Sequence, residues 1–156
     1  MIVVRDAVQA IAFYTEVFGA TEALRLMHFH RVGHCVMYLG SSEFVLLDEF
    51  PEANLLSPLT APPSGGGPGL MLEVMDVDVV VAKALARGAT VNHPPEDQWW
   101  GVRSCALVDP FGHRWTIVSK IEDVSPAEMQ RRADEMGLYP PPDQEEKRAA
   151  RGEEVP

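Results

Sequence analysis

The chain has 156 residues, a hydrophobic fraction of 46% and a formal net charge of −10. This length suffices for one domain with a buried core and a short tail. The charge is evenly shared, since residues 1–120 carry 13 acids and 8 bases and the remainder carries 10 and 5. Without clustered Lys and Arg, neither nucleic acid nor an anionic membrane surface is expected as a partner.

Two further features of composition bear on the compartment. The chain has two cysteines, which suit small core residues in a reducing environment. No apolar run approaches the roughly 20 residues of a membrane span, and the N-terminus lacks a basic segment followed by an apolar stretch. The sequence therefore predicts a cytoplasmic protein that does not bind membranes.

The first half of the chain predicts a short apolar strand stub over Met1 to Val4, then one helix and three strands. Asp6, with Gln9 three residues later, forms a capping-box arrangement, and Gly19 is a natural stop. Apolar residues recur between them at helical spacing, which predicts a helix over 7–18. Strands are then predicted over 22–27, 34–39 and 43–48, with a loop over 49–69.

The second half predicts the same order of elements. A strand over 70–75 leads to a helix that Asp76 caps and that continues to Arg87. A short strand over 90–93 and an aromatic-rich loop over 94–101 follow. Last comes a hairpin with strands over 105–108 and 115–118 and an Asp109-Pro110-Phe111-Gly112 turn.

Residues 121–156 differ in composition from what precedes them. Ser125-Pro126-Ala127-Glu128 is a capping box with proline at the first helical position, which predicts an exposed helix over 126–136 ended by Gly137. The proline-rich, charged residues 140–156 are predicted to be disordered. The predicted organisation is one domain over 1–120 (module one 1–60, linker 61–69, module two 70–120) and a C-terminal helix with a disordered tail.

Matched landmarks indicate that the two modules are an internal duplication. Gly19-Ala20-Thr21 recurs as Gly88-Ala89-Thr90, Cys35 recurs as Cys105, and a capping aspartate opens both helices, all at an offset of 69 or 70 residues. Each module reads strand, helix, strand, strand, strand. We therefore expect an α+β fold in which two βαβββ modules form a curved mixed sheet around a cavity, with the helices outside.

The duplicated βαβββ unit with Asp109-Pro110-Phe111-Gly112-His113 before its last strand resembles the vicinal oxygen chelate superfamily, which includes glyoxalase I, bleomycin-resistance proteins and extradiol dioxygenases. Four stretches resemble its PhnB-like branch more narrowly. They are Val4-Arg5-Asp6 to Gly19-Ala20, Asp48-Glu49-Phe50-Pro51, Glu96-Asp97-Gln98-Trp99 with Gly101 and Arg103, and Glu122-Asp123 to Arg131-Arg132. The resemblance covers residues 1 to about 137 and is specific for the fold rather than the activity.

The resemblance also implies where a metal would be held. Metalloenzymes of this superfamily carry ligands at four positions, which fall here at or before Met1, near Val45, on Met71 and on Thr116. None of these is a carboxylate or imidazole, so we expect no metal and no other cofactor. Members usually have roughly ten more residues completing an ordinary first strand, so we expect a mis-assigned start codon or an incomplete sheet edge.

Candidate ligand-binding residues follow from strand periodicity within the implied cavity. Met71 and Glu73 share one strand face, and Glu73 is either a binding or basic carboxylate or the partner of Arg103 or Arg114. His34 begins a strand expected to line the cavity. Its neighbours His28 and His30 suit either a metal or, more plainly, a polar strand end. Tyr38 and Thr116 are candidates for the cavity wall.

The adjacent Trp99 and Trp100 offer stacking area for a planar or cationic ligand, or else pack under their own loop or at a dimer seam. At most one of the two is expected to face a ligand. Arg103 is either an anion clamp or a structural ion pair. Asp109 and His113 are assigned to the turn.

We therefore expect a metal-independent protein that binds a small aromatic or cationic molecule, and a homodimer, since cavities of this superfamily are often completed by a partner. The alternative is a lyase, isomerase or dioxygenase with a relocated metal held by His34, Glu73 and a nearby group, so enzymatic activity stays open. A third option is an accessory protein whose C-terminal helix docks onto a partner.

Overall fold

The computed structural model describes residues 1–62 and 68–138, and its elements follow the duplicated order predicted from the sequence. The first module contains β1 (Ile2–Val4), α1 (Ala7–Phe18), β2 (Thr21–His28), β3 (Arg31–Leu39) and β4 (Ser42–Asp48). The second contains β5 (Gly69–Glu73), α2 (Val77–Ala86), β6 (Thr90–Asp97), β7 (Val102–Val108) and β8 (Arg114–Lys120). A third helix, α3 (Pro126–Glu135), follows, and a 3-10 turn (Pro51–Ala53) interrupts the loop after β4.

Each module forms its own four-stranded mixed sheet, in the order β1-β4-β3-β2 and β5-β8-β7-β6. The first strand of each module runs parallel to the last, and the other pairs are antiparallel. The predicted α+β class of two βαβββ modules is confirmed. The predicted tail, residues 140–156, and linker residues 63–67 lie outside the described parts of the chain.

Both module helices begin and end where their capping residues predict. A side-chain oxygen of Asp6 accepts a hydrogen bond of 2.9 Å from the Gln9 amide, and Gly19 ends α1 in the left-handed conformation at φ 73°. In α2, Asp76 accepts from the Val79 amide at 3.0 Å. These local caps fix both helices despite the β-branched residues in α2.

Strand β6 is longer than the sequence predicts, because it continues through two prolines that were assigned to a loop. It pairs only with β7 and is therefore an edge strand, where proline is tolerated. A register shift between His93 and Glu96 takes Pro94 and Pro95 out of the hydrogen-bonded ladder. The two hairpin strands β7 and β8 likewise extend beyond their predicted cores, and Gly69 belongs to β5 rather than to the linker.

The buried core joins the two modules. Helices α1 and α2 contact each other, and residues from both helices and both sheets form one hydrophobic cluster. Tyr14 of α1 is fully buried, and its ring centroid lies 5.7 Å from that of Trp115 in β8. Phe18 packs on the same indole at 4.7 Å. The modules are therefore held together through the aromatic face of α1.

Asp109 is the polar centre of this contact, and its position in the predicted turn is confirmed. It is 3% exposed and accepts hydrogen bonds from the Tyr14 hydroxyl at 2.7 Å and from Trp115 Nε1 at 2.9 Å. It also accepts from the amides of Phe111 and His113, both at 2.9 Å. Burial and the negative charge of Asp109 raise the pKa of the Tyr14 hydroxyl, which therefore stays protonated as a donor.

One face of each sheet packs on the core and the other is open. In β3, Cys35 and Met37 are buried, whereas the alternating His34, Val36 and Tyr38 are at least partly exposed. In the second sheet, Met71 lies beside Thr116 and Glu73 beside Val118 on the open side. These open faces are where the sequence predicted a ligand cavity.

No helix among the described residues is long and apolar enough to cross a membrane.

Candidate functional site

A pocket of about 430 Å³ lies at the open face of the second sheet, under the segment that follows β8. Its lining residues come from three strands, β5, β7 and β8. The others belong to the loop before β7, the segment between β8 and α3, and α3 itself. The lining residues are Met71, Glu73, Trp100, Gly101, Val102, Val118, Lys120, Glu122, Asp123, Val124 and Met129.

Three of the residues predicted from the sequence meet in this pocket. Met71 and Glu73 come from alternate positions of β5, as their shared strand face predicted, and Trp100 comes from the facing loop. Among the residues that the structure describes, the Glu73 carboxylate forms neither a hydrogen bond nor an ion pair. The pocket thus combines an uncommitted negative charge with an indole and a thioether.

Trp99 and Thr116 lie next to the pocket without lining it. The Trp99 and Trp100 rings meet edge to face, with centroids 5.1 Å apart and an interplanar angle of 85°. Thr116 is the register partner of Met71 on β8. Of the two tryptophans, Trp100 is the one that faces the pocket.

Arg103 forms a structural ion pair, one of its two predicted roles. Its Nε donates to Asp78 at 2.7 Å and its Nη1 to Asp97 at 2.8 Å. Hydrogen bonding to Asp78, and then to Asp97, raises the pKa of the guanidinium. Arg103 is paired in register with Ser119, which is buried, so it lies on the helix side of the sheet.

His34 and Tyr38 lie on the open face of the first sheet, away from the lining of this pocket. The Tyr38 hydroxyl donates to Glu43 at 2.8 Å. The relocated metal of the alternative hypothesis would need His34 and Glu73, which belong to different sheets of the chain. Over residues 1–62 and 68–138, no group of three or more His, Cys, Asp or Glu side chains is arranged to hold a metal ion.

Four charged or flexible lining residues were not identified from the sequence: Lys120, Glu122, Asp123 and Met129. Lys120 forms an ion pair with Asp123, and Arg132 binds Glu122 at 2.8 and 2.9 Å. The hydrogen bond from Arg132 lowers the pKa of Glu122. Two of the three carboxylates that line the pocket therefore have a cationic partner, whereas Glu73 has none among residues 1–62 and 68–138.

A second, more polar groove of about 550 Å³ lies near the start of α1 and includes Arg5 and Arg31. Both cations are already engaged. Arg5 donates to Thr60 Oγ1 at 2.9 Å and to the Leu59 carbonyl. Arg31 binds Glu52 and lies 4.1 Å from the centre of the Phe50 ring. This groove therefore presents less free charge to a ligand than the first pocket.

The positions where the family resemblance implies metal ligands were tested by their chemistry. Val45, Met71 and Thr116 all lie on strands bordering the open faces, as the resemblance requires. An alkyl group, a thioether and a hydroxyl do not replace the carboxylate and imidazole ligands that hold divalent ions in this family's metal centres. These residues do not fit the family's metal centre.

Comparison with known proteins agrees with this architecture. Residues 1–117 match the model of the Glyoxalase/Bleomycin resistance protein/Dioxygenase superfamily. The chain belongs to this superfamily. An uncharacterized protein of Mycobacterium bovis is 35% identical over 131 residues, which cover 83% of this chain and 86% of the relative.

Solved structures show the same fold. A glyoxalase/bleomycin resistance protein/dioxygenase family enzyme from Burkholderia phytofirmans is 26% identical, with a TM-score of 0.59 over 77% of this chain and 94% of that one. A gene product of Arabidopsis thaliana is 29% identical, with a TM-score of 0.58 over 74% of this chain and 90% of that one.

Proposed function

We propose that this chain is a metal-independent small-molecule-binding protein of the glyoxalase/bleomycin-resistance type, from the PhnB-like branch. Its ligand has a flat apolar part and a cationic group. The observation that carries this proposal is the Glu73 carboxylate, which has no partner among the described residues yet lines a pocket with Trp100 and Met71. The unsuitable donors at the family's metal positions support binding without a metal.

In the proposed binding mode, the cationic group of the ligand pairs with Glu73 and its flat apolar part packs against Trp100. An ammonium or guanidinium group would meet Glu73 in a charge-assisted hydrogen bond, which is stronger than a neutral one. The aromatic part would pack against Trp100, which favours both planar groups and cations. The thioethers of Met71 and Met129 adapt to ligands of differing shape.

Replacing Glu73 by glutamine is expected to weaken the binding of a cationic compound about 10- to 100-fold, because a hydrogen bond to a charged group is lost. The measurement is equilibrium dialysis against a panel of basic glycopeptide and aromatic antibiotics. Glu96→Gln is the matched control, since Glu96 lies on the same open face, paired in register with Ser104, but outside the pocket lining.

Two results of this experiment would count against the proposal. If no panel compound binds the wild-type protein more tightly than millimolar, the proposed function is wrong. If Glu73→Gln and Glu96→Gln weaken the binding of a cationic compound equally, the effect comes from the net charge of the protein, and the proposed role of Glu73 is wrong.

We also propose that the protein is a homodimer in which a second copy covers the open sheet faces. Leu26 is 53% exposed and Met71 74% exposed on these faces, and removing such apolar surface from water favours association. An open face of one copy against that of another would enclose the pocket more fully and bury both surfaces.

Sedimentation velocity is expected to show a dimer of the wild-type chain, and Leu26→Asp is expected to shift it to monomer by placing a charge in the buried interface. Val79→Asp is the control, because Val79 is similarly exposed but lies on α2. A wild-type monomer at the concentrations used for dialysis would contradict the dimer.

A further inference from the structure

The segment after β8 contributes to the pocket although it lies beyond the residues that the superfamily model matches, 1–117. We call residues 121–135 the C-terminal arm. Four residues of the arm line the pocket together with Met71 and Trp100: Glu122, Asp123, Val124 and Met129. The arm therefore takes part in the site although it lies outside the residues that the superfamily model matches.

We call residues 98–101, between β6 and β7, the tryptophan loop. Arg132 of α3 connects this loop to the C-terminal arm. Its Nε donates to Glu128 at 2.8 Å within the helix. Its Nη1 donates to the Trp99 carbonyl at 2.8 Å, and Nη1 and Nη2 together bind the Glu122 carboxylate at 2.9 and 2.8 Å. One guanidinium thus connects α3, the pocket-lining Glu122 and the tryptophan loop.

A second contact locks the same loop to the same segment. The amides of Ile121 and Glu122 both donate to the Gly101 carbonyl, at 2.9 and 3.0 Å. The loop is closed on its other side by the Gln98 amide, which donates to the Val102 carbonyl at 2.7 Å. Hydrogen bonds therefore fix the backbone on both sides of Trp100. Arg132 binds the Trp99 carbonyl, and the amides of Ile121 and Glu122 bind the Gly101 carbonyl.

We propose that Arg132 is a positioning residue for the ligand pocket, which acts by fixing the Trp99 carbonyl and with it the orientation of the Trp100 side chain. The two indoles pack edge to face, so a movement of the Trp99 backbone would change the direction of both rings. The consequence for binding rests on the proposed function. The effect of Arg132 on the orientation of Trp100 does not rest on the proposed function, and it is measurable without a ligand.

The test uses the full chain labelled with 5-fluorotryptophan and observed by fluorine NMR. Trp99→Phe and Trp100→Phe assign the resonances of the pocket tryptophans, and Trp115, which is buried in the core, serves as an internal reference for folding. In Arg132→Ala the Trp99 and Trp100 resonances are expected to shift and broaden, whereas the Trp115 resonance stays in place. Arg132→Lys is expected to retain part of the wild-type signal, because one ammonium cannot make all of these contacts.

Arg131→Ala is the matched control. Arg131 neighbours Arg132 in α3 and shares its partner Glu128, but among the described residues its side chain bonds only Glu128 and Glu135, both within the helix. The Arg131→Ala substitution therefore removes ion pairs within the helix and leaves the contacts of Arg132 with the tryptophan loop in place. The Trp100 resonance is expected to stay unchanged in this variant. An unchanged Trp100 resonance in Arg132→Ala, or an equal shift in Arg131→Ala, would overturn the positioning role.

Dialysis of the same variants separates this inference from the proposed function. A panel compound is expected to bind Arg132→Ala about fivefold or more weakly than it binds Arg131→Ala. If the Trp100 resonance moves but no panel compound binds the wild type, the positioning role holds and the proposed ligand class is wrong. If a compound binds both variants as tightly as the wild type, positioning has no role in binding and the proposed function stands.

Discussion

Replacement of Asp109 by alanine is expected to lower the free energy of unfolding by about 3–5 kcal/mol. The carboxylate is 3% exposed and accepts four hydrogen bonds, from Tyr14, Trp115, Phe111 and His113. Alanine would leave the buried Tyr14 hydroxyl and Trp115 indole without an acceptor in a core that water does not reach. It would also remove the acceptor through which Tyr14 of α1 and Trp115 of β8 are linked.

Urea denaturation monitored by circular dichroism measures this loss. Tyr14→Phe removes one donor together with its need for an acceptor, so its cost is expected to be smaller, about 1–2 kcal/mol. Asp123→Ala is the control, because its side chain is 91% exposed and its ion pair with Lys120 should contribute less than about 1 kcal/mol. A cost below about 1 kcal/mol for Asp109→Ala would show that the link between the modules is not needed for stability.

The order of elements was predictable because the chain contains it twice. The capping residues Asp6 and Asp76 define both helix starts locally, and the glycine landmarks mark both ends, so the repeat resolved segments that periodicity left ambiguous. Strand β6 shows where this reasoning fails. Pro94 and Pro95 indicated a loop, but the position of β6 at the sheet edge removes the need for their missing amide hydrogens. That position depends on strand order, which no local pattern contains.

The site was predictable only in part, for a related reason. Strand periodicity placed Met71 and Glu73 on one face, and the same rule, applied to β7 once its register is known, places Arg103 on the opposite side. Glu122 and Met129 could not be found in this way, because the C-terminal arm occurs once and has no counterpart in the first module. Its place over the pocket depends on long-range contacts of Arg132 and Gly101.

Adding a single methyl group at the contact between the tryptophan loop and the C-terminal arm is expected to lower the free energy of unfolding about as much as the loss of Asp109 from the core. Gly101 has φ 88°, in the left-handed region that favours glycine. A Cβ atom here would lie 2.6 Å from Val124 Cγ2 and 2.7 Å from the Glu122 carbonyl oxygen. Gly101→Ala is therefore expected to cost about 2–5 kcal/mol, from backbone strain and from a clash with backbone that cannot rotate away.

Gly137→Ala is the control that separates these two contributions. Gly137 also has a positive φ, 66°, but apart from its chain neighbours no atom of the described residues lies within 4 Å of the position its Cβ would take, so its substitution tests the backbone strain. Its expected cost in urea unfolding is about 1 kcal/mol, and the excess for Gly101→Ala measures the clash with the arm. Equal costs would mean that the arm moves aside freely. An excess of about 1 kcal/mol or more would show that the loop and the arm behave as one wall of the pocket.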